Sequence, residues 1–283
     1  MTSIVIPAHN EARVIGRLLD SLLAGPLAED DTDIVVVCNG CTDDTARIAA
    51  ARGPRVRVVE TPVPSKHAAL RAGDDHARGF PRLYVDADVV LASADVRALT
   101  EPLEDDASGV LATAPERRIP LTSCDWRVRA YYQVWQRLPA VREGLFGRGV
   151  IAVSKAGHAR IAALPPLMAD DLAASLAFTP AERLVVDAAD VVIQPPRTWA
   201  DLIRRRIRAA VSTAQVEQHR KPAEASARTS KADLKALLRR EPRLFVAVVV
   251  FVAAALAARR GARKAIRTQD FGTWLRDESS RQN

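Results

Sequence analysis

The sequence predicts an α/β fold, a mostly parallel sheet flanked by helices, with a C-terminal helical, partly apolar extension. Three observations predict it. Short apolar runs alternate with stretches of helical periodicity from residue 3 onward, the pattern of strand–helix–strand units. Polar, turn-forming residues follow each apolar run, which marks the strand ends. Residues 231–283 change character, a basic segment leading into a charge-free apolar one.

The elements follow in order. Residues 3–6 are an apolar run that reads as the first buried strand. After Pro7-Ala8-His9-Asn10-Glu11, Asn10 is a good helix cap, and Ile15, Leu18, Leu19, Leu22 and Leu23 recur at helical spacing until Gly25-Pro26. Residues 33–37 form a second buried strand, and Thr42 can cap the next helix, with Asp43 and Asp44 in its first turn. Residues 55–60 make a third strand, and residues 65–70 open another helix. Lys66 in that first turn opposes the helix dipole unless an anion lies nearby; a solvated lysine is the plain alternative.

Residues 83–85 are a fourth apolar run, ending abruptly in Asp86-Ala87-Asp88. Two carboxylates at a strand end suit a hard divalent cation, Mg²⁺ or Mn²⁺, which takes oxygen ligands and shares itself with substrate phosphates. An ordinary turn is the alternative. In open parallel sheets ligands bind at the carboxyl ends of the strands, where these polar clusters fall. No Gly-x-Gly-x-x-Gly follows the first strand and no Walker-type loop is present, which argues against a dinucleotide dehydrogenase and a P-loop NTPase.

With 283 residues, 48% hydrophobic and 27% charged, the chain can bury a sizeable core. A net charge of +7 fits an anionic partner, such as nucleotide phosphates or an anionic membrane surface. Nucleic acid is not expected as a partner, because the arginines cluster on one helix without interleaved aromatics. Cys38, Cys41 and Cys124 are odd in number, and Met1 runs straight into strand-like residues rather than a secretory leader. The expectation is a cytoplasmic protein with free thiols. Cys38-Asn39-Gly40-Cys41 has no second pair or His cluster to complete a zinc site.

The blocks Ile4-Val5-Ile6-Pro7-Ala8-His9-Asn10-Glu11, Asn39-Gly40-Cys41-Thr42-Asp43, Lys66-His67-Ala68-Ala69-Leu70 and Asp86-Ala87-Asp88 resemble, in order and spacing, those of a family 2 glycosyltransferase. The resemblance covers residues 3–215 and implies a GT-A type, Rossmann-like fold. It implies inverting, metal-assisted transfer of a hexosyl group. The donor would be a nucleotide-diphosphate sugar, the acceptor a hydroxyl on a glycan, a lipid-linked molecule or a small molecule. Pro7, Ala8 and Glu11 would line the nucleotide, with Lys66 also on the donor. Where the family usually has two acidic residues this chain has Cys38 and Asn39, so Asn39 would meet the base and the base preference stays open. Asp86 would sit near ribose and diphosphate, and Asp88, with Asp86, would hold the metal.

Further along, residues 93–103 look helical and 110–114 strand-like, and residues 123–138 form an amphipathic helix. Its aromatics, Trp126, Tyr131, Tyr132 and Trp135, are either core or a sugar platform. Gly147 and Gly149 permit close backbone approach to a ligand before a strand at residues 150–153. Asp170 and Asp171 open a helix, where their charge suits the dipole. The resemblance implies that Asp171, with Asp170 second, is the general base for the acceptor hydroxyl. A strong amphipathic helix follows Thr198, its polar part crowded with Arg204, Arg205, Arg206 and Arg208. The Gln-x-x-Arg-Trp motif of polymerising relatives is missing its tryptophan, and Arg206 is the candidate for the leaving group.

The expected division is a catalytic domain at 1–218, a polar linker at 219–230 and a basic, apolar helical extension at 231–283. Residues 244–258 carry no charge, fewer than the ~20 residues a span needs, with basic residues on both sides. They read as a membrane anchor at the inner face of the cell membrane or as a buried helix, and residues 274–283 as a loose end. Two other functions compete. A sugar nucleotidyltransferase uses a related sheet, normally with a glycine-rich loop where Pro7-Ala8-His9-Asn10-Glu11 stands. A membrane-docked module could hold a nucleotide sugar without turning it over.

Overall fold

Strand β1 (Thr2–Ala8) is paired on both sides, in parallel with β2 (Thr32–Asn39) and with β4 (Arg82–Val85). β2 pairs in parallel with β3 (Val56–Thr61). This is the half of the sheet foreseen from the alternating runs. The computed structural model describes residues 1–25, 32–164, 170–218 and 229–267. Ile4, Val5 and Ile6 of β1 and Val35, Val36 and Val37 of β2 are fully buried because helices cover both faces. On one face α1 (Ile15–Leu23) sets Ile15, Leu18, Leu19 and Leu22 against Ile4, Ile6, Ile34 and Val36. Each such side chain contributes about 1.5–3 kcal/mol. The other connections are α2 (Thr45–Ala50) and α3 (Lys66–His76), whose Ala69 packs with Val35 and Val37 on the opposite face.

After β4 come β5 (Val89–Leu91), α4 (Ser93–Glu104) and β6 (Ala112–Arg118). Next are α5 (Trp126–Trp135) and α6 (Pro139–Glu143), then β7 (Val150–Val153), α7 (Lys155–Ala162), α8 (Asp170–Leu176) and β8 (Arg183–Ile193). The eight strands lie in the order β3-β2-β1-β4-β7-β6-β8-β5. β7 runs antiparallel to β4 and β6, β8 runs parallel to β6, and β5 runs antiparallel to β8.

Two local expectations are corrected. Asn10 does not cap α1, which begins at Ile15; Asn10 takes a left-handed φ of 53° and its side chain accepts from the Thr42 N–H at 2.7 Å. Thr42 does not cap α2 either. That helix begins at Thr45, whose N–H donates to Asp43 Oδ1. In the first place a short polar side chain ties one loop to another, and in the second it bonds within its own loop; the local cap signal is the same.

The chain forms two compact units. The first is Met1–Ile119 with Leu145–Ile193, and it holds the whole sheet. The second comprises Pro120–Gly144 and the described residues from Gln194 on. It contains α5, α6, α9 (Trp199–Gln218), α10 (Lys231–Arg240) and α11 (Phe245–Arg267). The grouping differs from the expected division at residue 218, because α5 and α9 bury their apolar faces against α11. Phe251 of α11 stacks on Tyr131 of α5, with ring centroids 5.1 Å apart. Val128, Tyr131, Tyr132 and Val134 are buried, so the aromatic helix serves mostly as core, with Trp126 exposed. Most of the polar stretch at 219–230, Pro26 and residues 274–283 lie outside the described residues.

Candidate active site

β4 delivers Asp86 to the carboxyl end of the sheet, and the chain just before β7 receives it there. The Asp86 N–H donates to the Gly149 carbonyl at 2.7 Å. Gly149 has a φ of +66°, and a Cβ there would stand 2.6 Å from Val89 Cγ1. Only glycine fits this approach. The Asp86 carboxylate meets the Lys66 ammonium at 2.8 Å. Lys66 lies in the first turn of α3, which Ser65 caps by accepting from the Ala68 N–H. Asp86 is therefore the anion that offsets the unfavourable placement of a cation at a helix N-terminus.

Asp171 lies in the first turn of α8 with its side chain exposed. Its Oδ2 accepts from the Gly147 N–H at 2.9 Å and its Oδ1 from the Leu172 N–H at 2.7 Å. Asp170 opens the same helix, but its side chain lies outside the described residues. Between Gly147 and Gly149, Arg148 turns inward and is fully buried, donating to the Pro115 carbonyl at 2.6 Å and approaching Glu116 at 3.3 Å. Burial pushes its guanidinium below the usual arginine range. Neighbouring Arg117 is held at about 9, chiefly by burial and then by the Arg148 charge.

Pro7, Lys66, Asp86, Gly149 and Asp171 share one cavity of about 280 Å³. Much of the remaining wall is apolar, including Leu70, Leu145, Ile151, Ile161 and Leu164. Asp88 is not on that wall. It is half-buried on the turn between β4 and β5, with its carbonyl facing Arg17 at 3.5 Å. Among the described residues no set of three or more His, Cys, Asp or Glu side chains converges on a metal position.

The first two strand-end loops are laced together. Asn39 is 2% exposed; its Nδ2 donates to the Ala8 carbonyl, and its Oδ1 is buried without a hydrogen-bond partner. Glu11, also buried, donates its backbone N–H to Thr45 Oγ1, and the Ala12 N–H donates to Asp43 Oδ2. Cys38 is buried and its thiol is pushed up to about 12, mainly by burial, which leaves an inert thiol rather than a redox centre. Arg206 belongs to the second unit, its guanidinium carbon 5.9 Å from the Tyr131 ring centroid.

One group on the cavity wall went unseen in the sequence. The Tyr84 hydroxyl donates to Asp74 Oδ1 at 2.7 Å, and Arg82 meets the same oxygen at 2.8 Å. His158 Nδ1 lies 2.9 Å from the Tyr84 oxygen. Because Tyr84 gives its only proton to Asp74, Nδ1 is the protonated nitrogen of His158. Burial, and then Asp74, raise the Tyr84 phenol above its ordinary value; burial lowers His158. The residues come from α3, β4 and α7, and no local spacing announces them.

The profile of "Glycosyl transferase family 2" matches residues 3–159, more than half of the chain. A dolichyl-phosphate beta-glucosyltransferase of Trichomonas vaginalis is 37% identical over 97 residues, 31% of this chain and 29% of that protein. The chain thus matches under a third of that relative's length. Among solved structures, a mannosyltransferase from Pyrobaculum calidifontis in complex with GDP-Man and Mn²⁺ superposes with a TM-score of 0.63 at 21% identity, covering 98% of this chain and 81% of that one. Glucosyl-3-phosphoglycerate synthase of Mycobacterium tuberculosis, in complex with phosphoglyceric acid, gives 0.50 at 22% identity over 67% and 71%.

Proposed function

The chain belongs to glycosyl transferase family 2, and we propose that it transfers a hexosyl group, with inversion, from a nucleotide-diphosphate sugar to a hydroxyl. The observation that carries this reading is the shared cavity of Asp86 and Asp171, both tied to the Gly147–Gly149 backbone. The sugar's anomeric carbon lies between them. Asp171 takes the proton of the acceptor hydroxyl as its oxygen attacks that carbon, and the bond to the diphosphate breaks on the opposite face. Holding hydroxyl and carbon in line is the larger part of the work.

On the donor side, Pro7, Ala8 and Glu11 line the nucleotide and Lys66 faces the diphosphate. The buried, unpartnered Oδ1 of Asn39 is an acceptor for a donor group on the base. Asp86 on the cavity wall and Asp88 on the turn after it carry oxygen donors of the kind Mg²⁺ or Mn²⁺ takes, and these two would hold the ion. The ion would supply Lewis-acid neutralisation of the diphosphate. The solved mannosyltransferase that shares the fold contains Mn²⁺.

The apolar wall supports an acceptor whose hydroxyl is carried on an apolar body. Such an acceptor, and the basic C-terminal segment, are what support a cytoplasmic location at the inner face of the cell membrane.

A thermal-shift panel of nucleotide diphosphates and their sugars, with and without Mn²⁺, tests the donor side, since a ligand that binds only the folded state raises its melting temperature. A metal-dependent shift with one class of sugar nucleotide, followed by transfer to an alcohol, is the expected result. Pyrophosphate release from a nucleoside triphosphate and a sugar phosphate would overturn it in favour of nucleotidyl transfer.

A further inference from the structure

α11 carries two apolar faces. Ala247, Val248, Phe251, Ala254, Ala258 and Ala262 are buried, and the helix packs on α5 and α9 within the second unit. The other face is uncovered: Phe245, Val246, Val249, Val252 and Leu256 are 38–63% exposed. At 100° per residue, positions 245, 249, 252 and 256 fall on one stripe. The stripe does not stop there. Arg259, Arg260, Arg263 and Arg267 continue it along the same face, all exposed. One line on the surface is thus apolar for about three turns and then purely basic.

We propose that this stripe docks the protein obliquely on an anionic lipid surface, with Phe245, Val249, Val252 and Leu256 entering the interface and the arginines meeting the headgroups. The observations select this occupant over two others. α11 is long and apolar enough to cross a bilayer, but burial of one of its faces disfavours a span. Ala247, Val248, Phe251, Ala254 and Ala258 face α5 and α9 rather than lipid, so only the stripe from Phe245 to Leu256, about 17 Å long, is left to meet an apolar layer. A second copy of the chain is disfavoured by charge. An antiparallel pairing would bury four arginines against apolar side chains, and a parallel one would set them against each other. Anionic headgroups at the edge of an apolar layer satisfy both halves of the stripe at once.

The inference deepens the membrane placement proposed above and does not rest on sugar transfer. It is tested by co-flotation of the full chain with phosphatidylcholine vesicles that contain or lack phosphatidylglycerol. Expected is binding to the anionic vesicles only, with release by high salt and by alkaline carbonate. Arg259→Ser/Arg260→Ser/Arg263→Ser is expected to weaken binding roughly a hundredfold, at about fivefold per charge. Val249→Asp and Leu256→Asp each abolish flotation, while circular dichroism melting stays at the wild-type temperature because both side chains are exposed. Equal binding to neutral vesicles, or retention after carbonate, overturns the proposal. So does self-association that Val249→Asp abolishes in a protein that binds no vesicles. Donor-induced thermal shifts measured without vesicles stand or fall separately, so failure of the transfer reading is distinguishable from failure of this one.

Discussion

Asp86 and Asp171 lean on the same stretch of backbone. Gly149 accepts the Asp86 N–H through its carbonyl, and two residues earlier the Gly147 N–H donates to the Asp171 carboxylate. The two carboxylates are 85 positions apart in sequence, yet their separation is set by a single turn of chain. Arg148, between the glycines, fixes that turn by burying its side chain.

Asp171→Asn is expected to lower kcat by about 10²–10⁴ with donor binding unchanged. The amide keeps an oxygen for the Gly147 N–H, so the fold is retained. Turnover kinetics beside a donor thermal shift check this; near-normal kcat removes Asp171 from the base role.

Gly149→Ala combines a strained positive φ with a Cβ 2.6 Å from Val89 Cγ1. A loss of about 2–4 kcal/mol is expected, read from the urea midpoint, together with loss of activity as Asp86 is displaced. Adding Val89→Ala should relieve the clash and leave the φ strain, so that the double variant differs from the sum of the singles.

Arg148→Leu leaves the Pro115 carbonyl without its guanidinium donor and is expected to cost about 2–5 kcal/mol. Arg148→Lys should rescue little, since an ammonium lacks the planar fork. Denaturant unfolding of both variants measures this.

Lys66→Gln removes a pair whose side chains are 38% and 40% exposed, so stability should change by under ~1 kcal/mol. The effect belongs in donor binding, with a donor KM raised about tenfold, if one charge-assisted contact to diphosphate is lost.

His158 titrates below its ordinary value because burial opposes its charge. Below pH 6.5 the unfolded chain therefore binds more protons than the folded one, and stability falls as the pH is lowered from there toward the folded-state value. His158→Gln should flatten that slope in melting temperature against pH.

The parallel half of the sheet was legible because each of its strands is a local run, buried on both faces. β8 was not. Asp187 and Asp190 interrupt it, and what holds it is pairing with β6 and β5, which no local pattern encodes. Asp86, Lys66 and Asp171, singled out in the sequence, line one cavity, and of the two readings of Lys66 the one with an anion nearby holds, that anion being Asp86. Asp88 is off the cavity wall, Arg206 belongs to the other unit, and the Arg82–Asp74–Tyr84–His158 chain is assembled across three elements. Arg148 had one faint signal, its place between two glycines, and the burial of a guanidinium depends on the carbonyl of Pro115, 33 positions away.

On the proposed reading, in which these loops receive the nucleotide, the stitching of Asn10, Ala12 and Glu11 to Thr42, Asp43 and Thr45 bears on the cost of association. Ordering a loop at the moment of association subtracts from affinity, and here the rim has surrendered its freedom during folding. Calorimetry should find a modest heat-capacity change on donor association, and cutting one stitch with Asn10→Gly should make the encounter more enthalpic and its affinity weaker, without a single contact to the ligand having been altered.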